Sequence, residues 1–251
     1  MNSTLKNIAR RLLLFEPCQK YFVNHVSVES WPGFYGRALS IKIPSLIKPL
    51  PVRTAECGSN IKIIFKLIKS VAHLPGDMAE CGVYQGATFV SEALYLKQHK
   101  ISKALWGCDS FEGFDEAVLS EIALGGSHDP HKKIGGFSET SPEAIQELLG
   151  RLGIDDRVHL LKGYFKDTLP RLKDRSFCFV HLDCDLYDSY KTCLNFFYPR
   201  LVPGGIILLD EYNDPPWPGC NKAVDEVLNG KPEKLIEIEF DNYLKYYIQR
   251  I

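Results

Sequence analysis

The sequence predicts an α/β fold: a doubly wound, mostly parallel sheet of seven strands with a C-terminal antiparallel hairpin, preceded by an N-terminal helical and extended cap. Three observations lead to this prediction. From residue 76 onward, short apolar runs alternate with amphipathic segments, which is typical of βα units. The last two apolar runs are separated only by Asp241 and Asn242, so we expect them to form a hairpin. The first sixty residues lack this alternation.

The length and composition fit one large domain with an appendage. The chain has 251 residues, of which 45% are hydrophobic and 24% charged. We expect a cap in residues 1–70 and one domain in residues 71–251. The net charge of -1 offers no footprint for nucleic acid, and no apolar run reaches the roughly 18 residues of a membrane span. The eight cysteines are scattered without a CxxC pair, so we expect buried thiols in a soluble, cytoplasmic protein.

The cap is predicted to begin with a helix over residues 3–15, whose apolar side chains share one face. Prolines at positions 44, 49 and 51 then favour an extended chain, and a second helix is predicted from about residue 59 to residue 72. Two roles stay open for this cap. It is either a lid or an oligomer contact, or else a passive cover for the sheet edge. An oligomer contact would make the protein a homo-oligomer.

The elements of the domain follow in order along the chain. Five strands are predicted at DMAECGV, ALWGCDSF, VHLLKG, FCFVHLD and GGIILLD. The helices between them are predicted at ATFVSEALYLKQHK, SPEAIQELLGRLG, residues 186–200 and residues 219–228. The hairpin strands are EKLIEIEF and YLKYYIQRI. Residues 115–140 are predicted to form one long irregular stretch, which is functional or disordered.

The turn after the first strand, AECGVYQGAT, has the features of a ligand site. Gly82 and Gly86 let the backbone approach a ligand closely, although a tight turn alone would also need them. Their GxxxG spacing differs from the GxGxxG fingerprint of dinucleotide sites, and Glu80 suits an ammonium group better than a pyrophosphate. Asp109 ends the second strand, where an acidic residue accepts hydrogen bonds from ribose hydroxyls. An adenosyl ligand with an amino-acid tail satisfies both residues, so we expect S-adenosylmethionine.

Acidic side chains end the fourth and fifth strands. Asp183 and Asp185 follow one apolar run, and Asp210 and Glu211 follow the next. The carboxyl ends of parallel strands face one crevice, where four carboxylates would repel one another unless a cation joined them. Ligands that are all oxygen select a hard cation, Mg²⁺ most simply, which would bind an acceptor hydroxyl and lower its pKa. Asp185 would then reach the crevice as a proton acceptor, unless it merely caps the next helix.

Several other residues have two interpretations each. His181 is expected to point into the core rather than to act in catalysis. Lys162 and Gly163 lie at a strand end near the expected adenine, where a backbone contact and a solvated lysine are both open. Three aromatic residues either form a wall of the acceptor pocket or belong to the core: Phe137, Tyr187 and Trp217.

The sequence resembles a known family over roughly residues 70–230. The segments AECGVYQGAT, DSFEGF, KGYFKDTLP and LDCDLYDSYKTCLNFFYPRLVPGGIILLDEY, in this order, are similar to the macrocin O-methyltransferase (TylF-like) family of class I, S-adenosylmethionine-dependent sugar O-methyltransferases. The resemblance implies a Rossmann-like sheet and Mg²⁺-dependent methyl transfer to a hydroxyl of a carbohydrate. It implies Asp183, Asp210 and Glu211 as metal ligands, with Asp185 as the general base. It implies the following contacts to the methyl donor: Glu80, Gly82, Asp109 and Ser110.

The sequence also departs from the family pattern. Glu211 stands where a second aspartate is usual, Cys184 where glycine is usual, and Asn221 where a basic residue is common. These changes lie on the acceptor side, so the sequence identifies neither the acceptor nor the hydroxyl that is methylated. Two rival functions remain: a nicotinamide-dependent oxidoreductase, disfavoured by Glu80 and the GxxxG spacing, and a non-catalytic methyltransferase-like module that binds a partner through its cap. A scaffold has no need to gather four carboxylates, which disfavours the second rival.

Overall fold

The computed structural model describes residues 24–25, 27–29, 57–154 and 157–251. The helix predicted over residues 3–15 and the extended segment around the three prolines lie outside the described residues, as does most of the predicted cap. Among the helices in the described ranges, none is both long and apolar enough to cross a bilayer.

The described residues form one seven-stranded sheet in the order β3-β2-β1-β4-β5-β7-β6. Its strands are β1 (Asp77–Cys81), β2 (Leu105–Asp109), β3 (Val158–Lys162), β4 (Phe177–Leu182), β5 (Leu201–Leu209), β6 (Leu235–Phe240) and β7 (Tyr243–Gln249). The first five pair in parallel, and β7 runs antiparallel to both β5 and β6. This confirms the predicted fold of five βα strands and a final antiparallel hairpin.

Helices cover both faces of the sheet. They are α1 (Cys57–Val71), α2 (Ala87–Gln98), α3 (Ala117–Ala123), α4 (Pro142–Arg151), α5 (Phe165–Thr168), α6 (Tyr187–Phe197) and α7 (Pro218–Leu228). Side chains of β5 alternate between two apolar clusters: Ile206 and Leu208 pack with α1 and α2, whereas Ile207 and Leu209 pack with α6 and α7. A sheet that is buried on both faces explains why β4 and the end of β5 are almost continuous apolar runs.

The prediction that residues 115–140 are wholly irregular is wrong, because α3 lies within them. Val118 of this helix is fully buried and packs with Leu186 and Trp217. These distant contacts stabilise a helix that is too short to be stable alone and has no periodic sequence around it. Three further short elements were also not predicted as separate helices: α5, the 3-10 helix Leu169–Leu172 and the 3-10 helix Tyr198–Arg200.

Six cysteines with described side chains are buried and not paired in disulfides, as predicted for the core segments. The residues are Cys81, Cys108, Cys178, Cys184, Cys193 and Cys220. They pack as small apolar side chains on strands and helices of the sheet core.

The strand order reverses between β1 and β4, and this creates a crevice at the carboxyl ends of the two strands. Gly82, directly after β1, has a positive φ of 92° and packs against the backbone of Asp183, directly after β4. The glycine turn and the acidic residues that the sequence singled out therefore meet at one place.

Candidate active site

The turn after β1 is held by the carboxylate of Asp109 at the end of β2. Its Oδ2 accepts hydrogen bonds from the backbone amides of Val83 and Tyr84, both at 2.8 Å, and its Oδ1 accepts one from Phe111 at 2.7 Å. A carboxylate offers about four lone-pair positions, so one on Oδ1 stays open for a ligand hydroxyl. Asp109 therefore shapes the turn as well, a role that the sequence did not reveal.

Two other glycines of the predicted donor site have positive φ. Gly86 forms the N-cap of α2 with a φ of 79°, and a Cβ there would lie 3.0 Å from the side chain of Ile145. Gly163 has a φ of 135°, and its amide donates to the carbonyl of Asp109 at 2.8 Å. The ends of β2 and β3 are joined in this way beside the glycine turn.

Ser110 and Lys162 stand at the same edge of the sheet. The Ser110 hydroxyl lies 3.2 Å from the carbonyl oxygen of Gly113 and 3.2 Å from the amide of Glu112, so it is engaged in a local turn. Lys162 is exposed at the end of β3. Their contacts with a methyl donor stay predictions.

The predicted metal ligands converge at the ends of β4 and β5. Asp183 and Asp210 each place an oxygen within 4.8 Å of the other and of a nitrogen of His181. Glu211 follows Asp210 and is buried, and its Oε2 is in contact with the hydroxyl of Tyr190. The structure thus brings Asp183 and Asp210 together with His181, and places Glu211 near enough for their charges to raise the pKa of its carboxyl.

Three of the four carboxyl groups hold their protons more tightly than usual. Burial and the charge of Asp210 raise the pKa of Asp183 to about 6. Burial, followed by the charges of Asp183 and Asp210, raises the pKa of Asp185 well above its usual range. Burial and the charges of Asp183 and Asp185 do the same for Glu211. A divalent cation bound among these oxygens would offset the repulsion, and a donor set of carboxylate oxygens fits Mg²⁺.

Asp210 differs because it has strong donors around it. The Nζ of Lys245 on β7 lies 2.9 Å from its Oδ2 and 2.7 Å from its carbonyl oxygen, and Asn60 on α1 donates to its Oδ1 at 3.1 Å. Burial opposes ionisation of Asp210, but Lys245 and His181 outweigh it and hold the pKa of this carboxyl well below its usual range. Asp210 is therefore the carboxyl group of the cluster that loses its proton most readily.

Asp185, the predicted general base, lies in an uncommon backbone conformation. Its φ is 57°, a region that non-glycine residues rarely occupy, and such strain concentrates at functional sites. Its amide lies 3.4 Å from Oε2 of Glu211. The N-cap of α6 is Leu186, without a side-chain cap, so Asp185 does not have the capping role that the sequence left open.

A second buried group lies behind the acidic cluster and was missed by the sequence analysis. Glu80 on β1, Glu92 on α2 and His181 on β4 place ligand atoms within 4.8 Å of one another, and all three are buried. Among the described residues, Oε2 of Glu80, both oxygens of Glu92 and Nδ1 of His181 have no hydrogen-bond partner. Burial lowers the pKa of His181, but its hydrogen bond to Asp210 and the charges of Asp183 and Asp210 outweigh this effect and raise it.

The expected burial of His181 is confirmed, but its two acidic neighbours were not anticipated. Glu92 had one signal in the sequence, since it stands among the apolar residues of ATFVSEALYLKQ. Eight consecutive residues of that helix are buried, from Phe89 to Leu96. A carboxyl group inside such a run needs a partner or a function.

Residues 115–140 pack against the helices that follow β4 and β5. Glu121 of α3 is fully buried, and its two oxygens accept hydrogen bonds from the amides of Gly219 at 2.8 Å and Tyr187 at 2.9 Å. These amides belong to the first turns of α7 and α6, the helices that follow β5 and β4. Glu121 therefore ties residues 115–140, called the insertion below, to the helices on both sides of the acidic cluster.

The aromatic residues singled out from the sequence have different environments. Trp217 is 3% exposed and belongs to the small core with α3. Phe137 is half-buried and makes edge contacts with Tyr84 of the glycine turn, at 5.1 Å between ring centroids, and with Phe114 at 5.3 Å. Tyr187 is half-buried and lies under the Nζ of Lys222. The structure thus assigns Trp217 to packing and leaves Phe137 beside the crevice.

Comparison with known proteins places these features in a family. Residues 60–244 match the family described as Macrocin-O-methyltransferase (TylF). Mycinamicin III 3''-O-methyltransferase from Micromonospora griseorubida is 30% identical over 171 residues, which cover 66% of this chain and 66% of that protein. A second relative, from Streptomyces olivaceus, is 34% identical over 141 residues, which cover 55% of this chain and 54% of that protein. It is the tetracenomycin relative 8-demethyl-8-(2,3-dimethoxy-alpha-L-rhamnosyl)-tetracenomycin-C 4'-O-methyltransferase. The chain thus matches less than two thirds of the length of each relative.

Solved structures share the fold over nearly the whole chain. The O-methyltransferase NovP superposes with a TM-score of 0.64 at 23% identity and covers 99% of this chain and 98% of its own. The calicheamicin methyltransferase CalS11 has a TM-score of 0.65 at 19% identity, with coverages of 99% and 94%. The sheet is therefore the Rossmann-like sheet of class I methyltransferases, as predicted. Because the family match extends over most of the described residues, the chain belongs to the macrocin O-methyltransferase (TylF) family.

Proposed function

We propose that this protein transfers a methyl group from S-adenosylmethionine to a hydroxyl of a sugar, with Mg²⁺ bound in its acidic cluster. One observation carries the proposal: Gly82 of the donor turn packs against the backbone of Asp183, so a donor and an acceptor hydroxyl would meet in one crevice. Family membership supports the reaction class. The name of the tetracenomycin relative specifies a rhamnosyl group and O-methylation, which supports a carbohydrate acceptor.

The donor would bind along the ends of β1, β2 and β3. Glu80 supports this placement, because its buried Oε2 has no partner among the described residues and would accept from the ammonium group of the amino-acid tail. Asp109 keeps one lone pair for a ribose hydroxyl. The remaining proposed contacts are Gly82, Gly86, Ser110, Lys162 and Gly163. The glycines permit close approach of the backbone, and Gly86 starts the helix whose N-terminus faces the ligand.

The acceptor hydroxyl would bind at the acidic cluster. Asp183, Asp210 and Glu211 would hold Mg²⁺, which when bound supplies a positive charge that lowers the pKa of the hydroxyl. Asp185 accepts the hydroxyl proton. The hydroxyl oxygen then forms its bond to the methyl carbon while the carbon–sulfur bond breaks, and S-adenosylhomocysteine leaves as a neutral thioether. Holding the donor and the acceptor in the correct orientation lowers the activation barrier by up to about 7–11 kcal/mol in well-aligned cases.

The proposal also covers the cellular location of the protein and the division of its chain into a cap and a domain. The six buried thiols in the described ranges favour the reducing cytoplasm. Residues 71–251 would form the catalytic domain, and residues 1–70 a cap that serves as a lid, an oligomer contact or a passive cover for the sheet edge. The helix α1 straddles that boundary, and its Asn60 reaches Asp210. The cap would therefore enter the domain beside the acidic cluster.

The proposal is tested by titrating the purified protein with S-adenosylmethionine in a calorimeter, first with Mg²⁺ and then with a chelator. We expect micromolar affinity, and about tenfold weaker binding by Glu80→Gln, which loses the charge opposite the ammonium group. A parallel titration with a nicotinamide dinucleotide should give no heat. Tighter binding of the dinucleotide than of S-adenosylmethionine would favour the oxidoreductase, and no binding of either would favour a non-catalytic module.

A further inference from the structure

His181 lies between two carboxyl groups in the interior of the protein. Its Nδ1 is 3.7 Å from Oε1 of Glu92 on α2, and its Nε2 is 3.5 Å from Oδ1 of Asp210 after β5. The side chains of His181 and Glu92 are completely buried, and that of Asp210 is 18% exposed. The three side chains form a row that leads from the interior helix to the acidic cluster.

Burying the carboxyl group of Glu92 lowers the stability of the fold, so its presence there points to a function. Among the described residues, neither of its oxygens has a hydrogen-bond partner, and its neighbours in the buried group are Glu80 and the imidazole of His181. Burial raises the pKa of Glu92 to about 8, although the charge of His181 opposes this. A leucine at this position would fill the same apolar space without the cost of burying a polar group.

The orientation of Asp210 depends on contacts from several elements. Lys245 holds Oδ2 on the side of β7, while Asn60 and His181 both contact Oδ1. If His181 were lost, Asn60 alone would oppose the pull of Lys245 on the carboxylate. The direction of the carboxylate therefore depends on His181, and the other ring nitrogen of His181 faces Glu92 at 3.7 Å.

We propose that Glu92 and His181 are positioning residues, in which Glu92 fixes the His181 ring and His181 fixes the Asp210 carboxylate for binding a divalent cation. The inference rests on the proposed function, because it assigns a support to the proposed metal site. Carboxylate and histidine partners outside the metal ligands orient those ligands, and their loss costs about 10–100-fold in metal affinity.

The test measures binding of Mn²⁺ as the probe, by the electron paramagnetic resonance signal of the free ion. Glu92→Leu and His181→Phe should each weaken binding about tenfold. The double variant should bind no more weakly than either single variant, because both residues act through one contact. Glu92→Gln keeps an oxygen for the imidazole and should restore affinity to within about threefold. Glu233→Gln is the matched control: Glu233 is also buried but contacts Tyr198 and Arg250, and its variant should bind Mn²⁺ like the wild type.

The outcomes separate the inference from the proposed function. A wild-type protein that binds no Mn²⁺ would overturn the metal site and this inference with it. A wild type that binds Mn²⁺, together with a folded Glu92→Leu or His181→Phe variant of equal affinity, would overturn the positioning role alone. Losses that add in the double variant would also overturn it. Circular dichroism checks folding, and if Glu92→Leu does not fold, His181→Phe is judged by the same criterion.

Discussion

Gly82 and Asp183 lie so close together that residue 82 has no room for a side chain. A Cβ at this position would be 1.6 Å from the carbonyl oxygen of Asp183, and the φ of +92° is strained for any residue other than glycine. The turn proposed to hold the methyl donor therefore packs on the backbone of a proposed metal ligand. A displacement of one would displace the other.

Gly82→Ala should lower the free energy of unfolding by about 2–5 kcal/mol and abolish binding of S-adenosylmethionine. Urea unfolding and calorimetry measure the two effects. Gly230→Ala is the matched control, because Gly230 also has a positive φ, of +76°, but nothing lies within 4 Å of a Cβ there. Gly230→Ala should lower the free energy of unfolding by about 1–2 kcal/mol, because only the backbone is strained. Equal costs for the two variants would show that the contact with Asp183 is unimportant.

Asp185→Asn should lower turnover by about 10²–10⁴-fold while leaving the affinity for S-adenosylmethionine unchanged. The amide retains the size of the side chain but cannot accept the hydroxyl proton. Steady-state kinetics at saturating donor and calorimetry distinguish the two effects. Asp188→Asn, at an exposed position in the first turn of α6, serves as the control and should be active. Normal turnover by Asp185→Asn would show that Asp185 is not the general base.

Glu121→Gln should weaken use of the acceptor more than binding of the donor. One of its oxygens becomes an NH₂ group facing a backbone amide of Tyr187 or Gly219, so the insertion loses one of its two ties. We expect kcat/KM for the acceptor to fall about tenfold or more, because small displacements of positioning groups are costly. Glu116→Gln, exposed at the start of the same helix, should behave like the wild type. Equal losses in both variants would contradict this role for Glu121.

Glu233→Gln should destabilise the protein in a pH-dependent manner. Burial favours the protonated acid, but hydrogen bonds from Tyr198, the amide of Ile251 and Arg250 outweigh it, so the pKa of Glu233 is lowered from 4.5. A lowered folded-state pKa contributes stability above the unfolded value and loses it as pH falls through the folded value. At neutral pH, the free energy of unfolding of the wild type should therefore exceed that of the variant by about 2 kcal/mol.

That difference should shrink as the pH is lowered below 4.5, the ordinary pKa of the glutamate side chain. Urea unfolding of both proteins across this range provides the measurement. A difference that stays constant down to strongly acidic pH would mean that the charge of Glu233 does not stabilise the fold.

The sequence predicted the sheet because each strand has a local signal. The apolar run before Asp183 and the one before Asp210 are bounded by turns, and the hairpin has only two residues between its strands. The helix α3 had no such signal, because its formation depends on burial of Val118 and on the contacts of Glu121 with two distant helices. Local patterns do not reveal a helix that tertiary contacts stabilise.

The candidate site was predictable where its residues end a strand, as Asp109 does, or directly follow one, as Asp183 and Asp210 do. The supporting residues were not predictable, because they approach from elements that are distant in the sequence. Lys245 lies 35 positions after Asp210, and Asn60 lies 150 positions before it. Only the sheet order, in which β7 inserts beside β5, brings Lys245 to the acidic cluster.

The central claim is tested most directly by methyl transfer itself. The protein would be incubated with S-adenosylmethionine carrying an isotope-labelled methyl group and a panel of deoxysugar glycosides and nucleotide sugars, with Mg²⁺ or with a chelator. Mass spectrometry should find the label on a sugar hydroxyl in the presence of Mg²⁺ and not with the chelator. Label that appears equally in the chelator would remove the metal from the mechanism, and label found only on non-sugar acceptors would contradict the proposed substrate class.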